Sequence, residues 1–167
     1  MEVKEAIRGR KSIRKYENRP IPNDVMDELL DTMRLAPSAN NMQRWSIVVV
    51  TDADLRKKLV PVSGNQKFVG ECSAFLVGVS EPGAFYSTVD MTIALDHLTL
   101  RAVELGLGTC WIGDFEPEKV KKLLDIPDDR DVPICMTLGY PAQNPSARKR
   151  KSISQLFYKD MWDFSWR

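Results

Sequence analysis

Histidine is all but missing from this chain: His97 is the only one among 167 residues. That removes metal sites built on two or more histidines, and it removes the usual general base. A lone titratable ring of this kind is by default structural or superficial. Cysteine is scarce too. Cys72, Cys110 and Cys135 are odd in number and lack paired spacing, which excludes a disulfide framework and a Cys-x-x-Cys zinc knuckle. They read as buried thiols of a reducing compartment. No run approaches the roughly 20 apolar residues that span a bilayer. The start, Met1-Glu2-Val3-Lys4-Glu5, is charged and carries no apolar signal region, so the expected location is the cytoplasm, away from membranes. Excess charge is lacking as well: 24 Lys and Arg against 23 Asp and Glu leave a net +1. A polyanion binder working through its whole surface is therefore excluded. Linkers, repeats, a phosphate-binding Gly-x-x-x-x-Gly-Lys loop and a His-Glu-x-x-His pair are all absent. One domain over residues 1–167 remains, 43% hydrophobic and long enough to bury a core, with no metal expected. Its reactive group is expected to be borrowed.

Positive charge is nevertheless gathered in two places. Arg10-Lys11-Ser12-Ile13-Arg14 lies near the start, and Arg148-Lys149-Arg150-Lys151 sits in a stretch free of Asp and Glu between Asp131 and Asp160. The first reads either as the solvated end of an opening helix, where cations complement the dipole, or as a phosphate site. The second reads as an exposed charge run, a weak nucleic-acid patch, or the other half of that site. Arginine forks onto phosphate oxygens, and Ser12 adds a neutral donor. Between the clusters runs Pro37-Ser38-Ala39-Asn40-Asn41-Met42-Gln43. It is either a polar turn or a set of paired donors and acceptors suited to a heterocycle's edge. Together the three segments suggest a phosphorylated cofactor.

Hydrophobic spacing predicts an amphipathic helix over 25–33, capped after Pro22-Asn23 and stopped by Pro37. Buried strands are expected over 45–50, 74–79 and 132–138, with a short one over 109–112. Residues 89–105 are apolar on most of their circumference and should form a central helix closed by Gly106. Pro117 opens another helix through 124. Gly106, Gly108 and Gly113 do not make a dinucleotide fingerprint: the spacing is wrong, and they follow a helix where the fingerprint follows a strand. They end the helix and let backbone approach something closely, whether protein or ligand.

The segments Arg10-Lys11-Ser12-Ile13-Arg14-Lys15-Tyr16 and 36–45 (APSANNMQRW), then 105–115 (LGLGTCWIGDF), 116–124 (EPEKVKKLL), 138–142 (LGYPA) and the late basic run resemble the FMN-dependent nitroreductase-like flavoproteins in order and spacing. The resemblance covers residues 7 to about 156. It implies an α+β three-layer sandwich, a mainly antiparallel central sheet flanked by helices, in an intertwined homodimer with FMN at the subunit interface. Arg10, Lys11, Ser12 and Arg14 would hold the phosphate and ribityl arm, joined by Arg148 and Arg150. Pro37, Ser38, Ala39, Asn40, Asn41 and Gln43 would form a wall near the isoalloxazine ring, with Ser38, Asn40 and Asn41 coming from the partner. The backbone of Trp111, Ile112 and Gly113 would approach the ring, and Asn65 is a looser match to a position beside it.

The same resemblance implies NADH or NADPH as donor and a small organic acceptor, nitroaromatic- or quinone-like, reduced by a ping-pong exchange at flavin N5. No protein residue is then catalytic, which agrees with the missing histidine. The scaffold also serves reductive dehalogenases, flavin-fragmenting enzymes and non-catalytic flavin-storage proteins. Two departures stand out: the chain is short, and Gln43-Arg44-Trp45 replaces the family's Gln-Pro-Trp. Arg44 either favours an anionic acceptor or points to solvent. The aromatic tail 157–167 is expected to pack on the partner subunit.

Overall fold

Alternation of side chains along four strands divides this protein into layers. In the computed structural model, which describes residues 1–166, β1 (Trp45–Val50), β2 (Ala74–Ser80), β3 (Gly108–Ile112) and β4 (Asp131–Gly139) form one sheet in the order β1-β2-β4-β3. Every neighbouring pair is antiparallel. On one face Phe75, Val77, Val79, Cys110, Ile112 and Cys135 point into a core shared with Leu59, Val69 and Val120. On the other, Leu76, Met136 and Leu138 meet Leu29, Met33, Met91, Leu95 and Leu98. Because residues two apart share a face, each strand feeds both cores. β2 is buried at every position. Burial of its Phe75, Leu76 and Val77 alone contributes about 1.5–3 kcal/mol per side chain.

The helices fall on the two faces accordingly. α1 (Val3–Gly9), α2 (Asn23–Arg34) and α5 (Ser87–Glu104) cover one side, while α3 (Ala53–Leu59), α4 (Phe68–Glu71) and α6 (Pro117–Leu123) cover the other. The α+β three-layer arrangement expected from the sequence is therefore present. α5 ends at Gly106, whose φ of 73° is the left-handed value expected there. α2 corrects one expectation: its N-cap is Pro22 and no side chain caps it, Asn23 being already inside the helix. α3 and α4 were not anticipated. No helix among the described residues is long and apolar enough to cross a membrane.

Several groups gain a raised pKa from this burial. Desolvation pushes Tyr16 far up, against the opposing hydrogen bond from Thr137, lifts the Cys72 thiol to about 12, and raises Cys135 as well. All are neutral when protonated, so folding retains protons that the unfolded chain gives up. The stabilisation is complete below the unfolded values, roughly 8.5 for thiols and 10 for tyrosine, and is lost as the pH climbs from there through the folded ones. Urea midpoints should fall progressively above about pH 8.5. A flat profile to pH 10 would contradict the burial of these groups.

The C-terminal tail folds locally and leaves its large side chains outside. Tyr158 bridges Ser165, and the Tyr158 and Trp162 rings lie 4.3 Å apart. Phe157, Met161, Trp162, Phe164 and Trp166 are all exposed. The expected partner contact of 157–167 includes Arg167, which lies outside the described residues.

Candidate cofactor-binding site

β3 is an edge strand, and what lies along its outer side decides the site. α1 ends at Gly9 with Arg10 as its C-cap, and the chain then turns extended. Ser12 makes a parallel bridge to Thr109, and the Ile13 N–H donates to the Thr109 carbonyl at 2.9 Å. The basic segment is thus laid on the start of β3. Strand alternation turns the backbone of Trp111 to the same outer edge as that of Thr109, and Gly113 follows two residues later. Nothing lies within 4 Å of the place where a Gly113 side chain would begin. At about 3.3 Å per residue, Thr109 and Gly113 are some 13 Å apart along this edge.

Gly108 fixes how closely the basic segment approaches. A Cβ built there would lie 2.4 Å from Ile13 Cγ1 and 3.1 Å from Ile13 Cβ. Neither atom is the free end of a flexible chain, so Gly108→Ala must displace segment 10–14. Overpacking of this kind costs about 1–3 kcal/mol, or roughly 2–4 °C of melting temperature per kcal/mol in a chain of this size. Cofactor retention should fall together with Tm. Wild-type values for both would mean that the segment's seat on β3 is not what aligns its cations.

Those cations are available. Among the described residues Arg10, Lys11, Arg14, Arg148 and Arg150 have no carboxylate within ion-pair distance. Lys11 Nζ donates to Asn144 Oδ1 at 2.8 Å, which ties the first cluster to the loop leading into the second. Arg148 and Arg150 themselves are exposed and outside regular structure. Cys110 lies beneath this segment. Burial raises its thiol pKa, partly offset by Arg14, Ser12 and Arg10. It packs in the core and is a poor nucleophile.

Asn65 comes close to the far end of the strand. Its neighbour Gly64 sits against Asp114, and the Gln66 amide donates to the Asp114 carbonyl at 3.3 Å. Asn65 has a φ of 54°, a left-handed backbone that asparagine tolerates. The loose sequence match therefore falls beside Gly113.

The segment from Pro37 to Gln43 is elsewhere. It precedes β1, at the opposite edge of the sheet from β3. Three strand intervals of about 4.8 Å put roughly 14 Å of closed core between the two edges. One chain therefore does not bring the two sets together. The local geometry is tightly specified all the same: Asn40, Asn41 and Gln43 have φ of 50°, 55° and 52°. The Gln43 N–H donates to Ser38 Oγ, and the Gln43 amide donates to the Asn41 carbonyl and Oδ1. Asp90, buried on α5, accepts from the Ala39 N–H through both carboxylate oxygens, at 3.2 and 3.1 Å. Sequence reasoning missed Asp90 as an anchor. Its one signal was a charge interrupting an otherwise apolar helix. Arg44 lies 3.8 Å from Glu81, which also reaches Arg130 at 3.6 Å.

Among the described residues no group of three or more His, Cys, Asp or Glu could hold a metal ion. The donors that are gathered, guanidinium, ammonium, hydroxyl and strand-edge amide, suit a phosphate and a heterocycle.

Comparison with known proteins gives the family and the fold. A family described as "Putative TM nitroreductase" matches residues 2–165. A protein of Methanothermobacter thermautotrophicus named "Putative NADH dehydrogenase/NAD(P)H nitroreductase" is 32% identical over 158 residues, spanning 89% of this chain and 82% of its own length. The NADPH:FMN oxidoreductase of Vibrio harveyi, solved in complex with NAD+, matches at a TM-score of 0.89 and 28% identity, over 96% of this chain and 77% of that one. A nitroreductase family protein from Clostridium novyi gives 0.81 at 30% identity, over 99% and 97%. The family match over residues 2–165 and the 32% identity to the Methanothermobacter protein place the chain in the nitroreductase family.

Proposed function

We propose that this protein is an FMN-dependent oxidoreductase that takes two electrons from NADH or NADPH and delivers them to a small organic acceptor. The observation that carries the reading is the unpaired basic segment seated on the free edge of β3, which ends in open space at Gly113. The names of the relatives support the same chemistry. Arg10, Lys11, Ser12 and Arg14, with Arg148 and Arg150, would hold the phosphate and ribityl arm. The backbone of Trp111, Ile112 and Gly113, with Asn65, would line the ring. When bound, FMN supplies the two-electron chemistry, so the chain needs no nucleophile or general base of its own.

The rest of the work falls to positioning. Pro37, Ser38, Ala39, Asn40, Asn41 and Gln43 belong to the same site only if a second copy supplies them, because in one chain they stand at the opposite sheet edge. We therefore infer a homodimer with the cofactor between subunits, in which Asp90 holds the Ala39 turn in place. The acceptor shares the donor's pocket, and the two alternate there. Membrane and nucleic acid have no part in this reading, and the cytoplasm is the compartment it fits.

The purified protein should be yellow and release FMN on denaturation. Anaerobic NADH or NADPH should bleach it within the mixing time of a manual experiment. FMN that stays oxidised with both donors would replace this reading with a storage role. Failure to bind added FMN would remove the flavin assignment altogether.

A further inference from the structure

A second gathering of arginine lies at the end of the sheet remote from Gly113. There β1 runs out at Val50 and β2 begins at Ala74, and a cavity of 280 Å³ opens among Arg19, Asn23, Thr51, Arg56, Glu71 and Ser73. Four observations meet in it. Arg56 lines it with part of its guanidinium, whose Nη1 donates to the Thr51 carbonyl while Nε is shut away from the cavity. Arg19 lies with its guanidinium carbon 3.9 Å above the Tyr140 ring, which leaves its N–H groups free at the edge. Among the described residues neither arginine has a carboxylate within ion-pair distance.

The fourth observation is the bare start of α2. Its first internal hydrogen bond is from the Met26 N–H to the Pro22 carbonyl, and no side chain caps it. The N–H groups of the first turn are thus unspent on a helix of 12 residues, and Asn23 and Met26 line the cavity. Glu71 also lines it, so two cations face one carboxylate and the cavity keeps an excess of one positive charge. At about 30 Å³ per water, there is room for a tetrahedral anion with several waters.

We propose that this cavity binds a compact oxoanion, either free phosphate or sulfate or the phosphoryl group of a phosphomonoester. It is separate from the cofactor site and does not depend on flavin. The anion joins the strap 15–21 to α3 and to the start of β2. That strap already hangs from the residues just after β4 through Glu17 N–H to the Tyr140 carbonyl and Ala142 N–H to the Lys15 carbonyl. Since Arg14 immediately precedes it, an occupied cavity stiffens the segment that carries the basic cluster.

The test uses protein saturated with FMN, titrated with inorganic phosphate or glycerol phosphate against sodium chloride at matched ionic strength, with melting temperature as readout. A saturable rise specific to the phosphates is expected. Arg19→Gln and Arg56→Gln should each weaken it about ten- to hundredfold, the loss of one charge-assisted bond, with flavin content per subunit unchanged. Arg19 is exposed, so its variant tests the site even if Arg56→Gln folds poorly. A tighter midpoint for glycerol phosphate identifies an ester as the ligand, and equal midpoints identify the free anion. The same titration on the flavin-free Arg10→Ala, Arg148→Ala protein isolates the cavity, so the inference stands or falls apart from the flavin reading. A response equal in chloride, undiminished in Arg19→Gln, or abolished by Arg10→Ala with Arg148→Ala would overturn it.

Discussion

The double variant Arg10→Ala, Arg148→Ala is expected to emerge from purification colourless. Neither guanidinium has a carboxylate partner among the described residues, so removing them leaves no buried counter-charge stranded, and the variant should melt within a degree or two of flavin-free wild type. The loss is confined to binding. Each charge-assisted hydrogen bond to a phosphate contributes about 1.5–3 kcal/mol. Two of them together correspond to a roughly hundred- to ten-thousand-fold weaker FMN complex. Riboflavin, which lacks the phosphate, should bind the variant and the wild type equally. A dimer that keeps its full yellow colour would end the argument that the two basic clusters share one anion.

Deleting residues 157–167 should have an effect of similar size through a different cause. Phe157, Met161, Trp162, Phe164 and Trp166 stand in solvent within one chain, and Trp162 is 76% exposed. So dense an apolar display at a terminus fits a surface that a second subunit covers. At about 1.5–3 kcal/mol for each large side chain buried, even half of these five amounts to several kcal/mol per subunit. Each 1.4 kcal/mol is tenfold in dissociation constant. Micromolar truncated protein should sediment as monomer and lose its flavin at the same time, as the proposed sharing of the Pro37–Gln43 wall between subunits requires. Unchanged sedimentation and melting would place the dimer contact elsewhere.

Much of this could be read before any coordinates. The strand limits at Trp45, Val50 and Ile112, the left-handed stop at Gly106 and the helix opened by Pro117 follow from local patterns, and tertiary contacts did not override them. α3 and α4 are short and carry no clear apolar period, because each buries only a few residues against a large core. Their existence is a consequence of packing. The site was legible in kind but not in place. Residue types named the basic segment and the amide-rich turn. Only the strand order put them at opposite edges, and only three-dimensional contact tied Ala39 to Asp90, 51 residues away. Strand order depends on non-local pairing, which no local window contains.

The Ile13 to Thr109 hydrogen bond and the Lys11 to Asn144 contact join parts of the chain about a hundred residues or more apart. Closing loops of that length is entropically costly, so such contacts form late in folding and open early. The cradle therefore works as a clasp between segments that lie far apart along the chain. A flavin bound as proposed would hold that clasp shut, so protease cutting within residues 10–14 and 141–150 should slow as flavin is added.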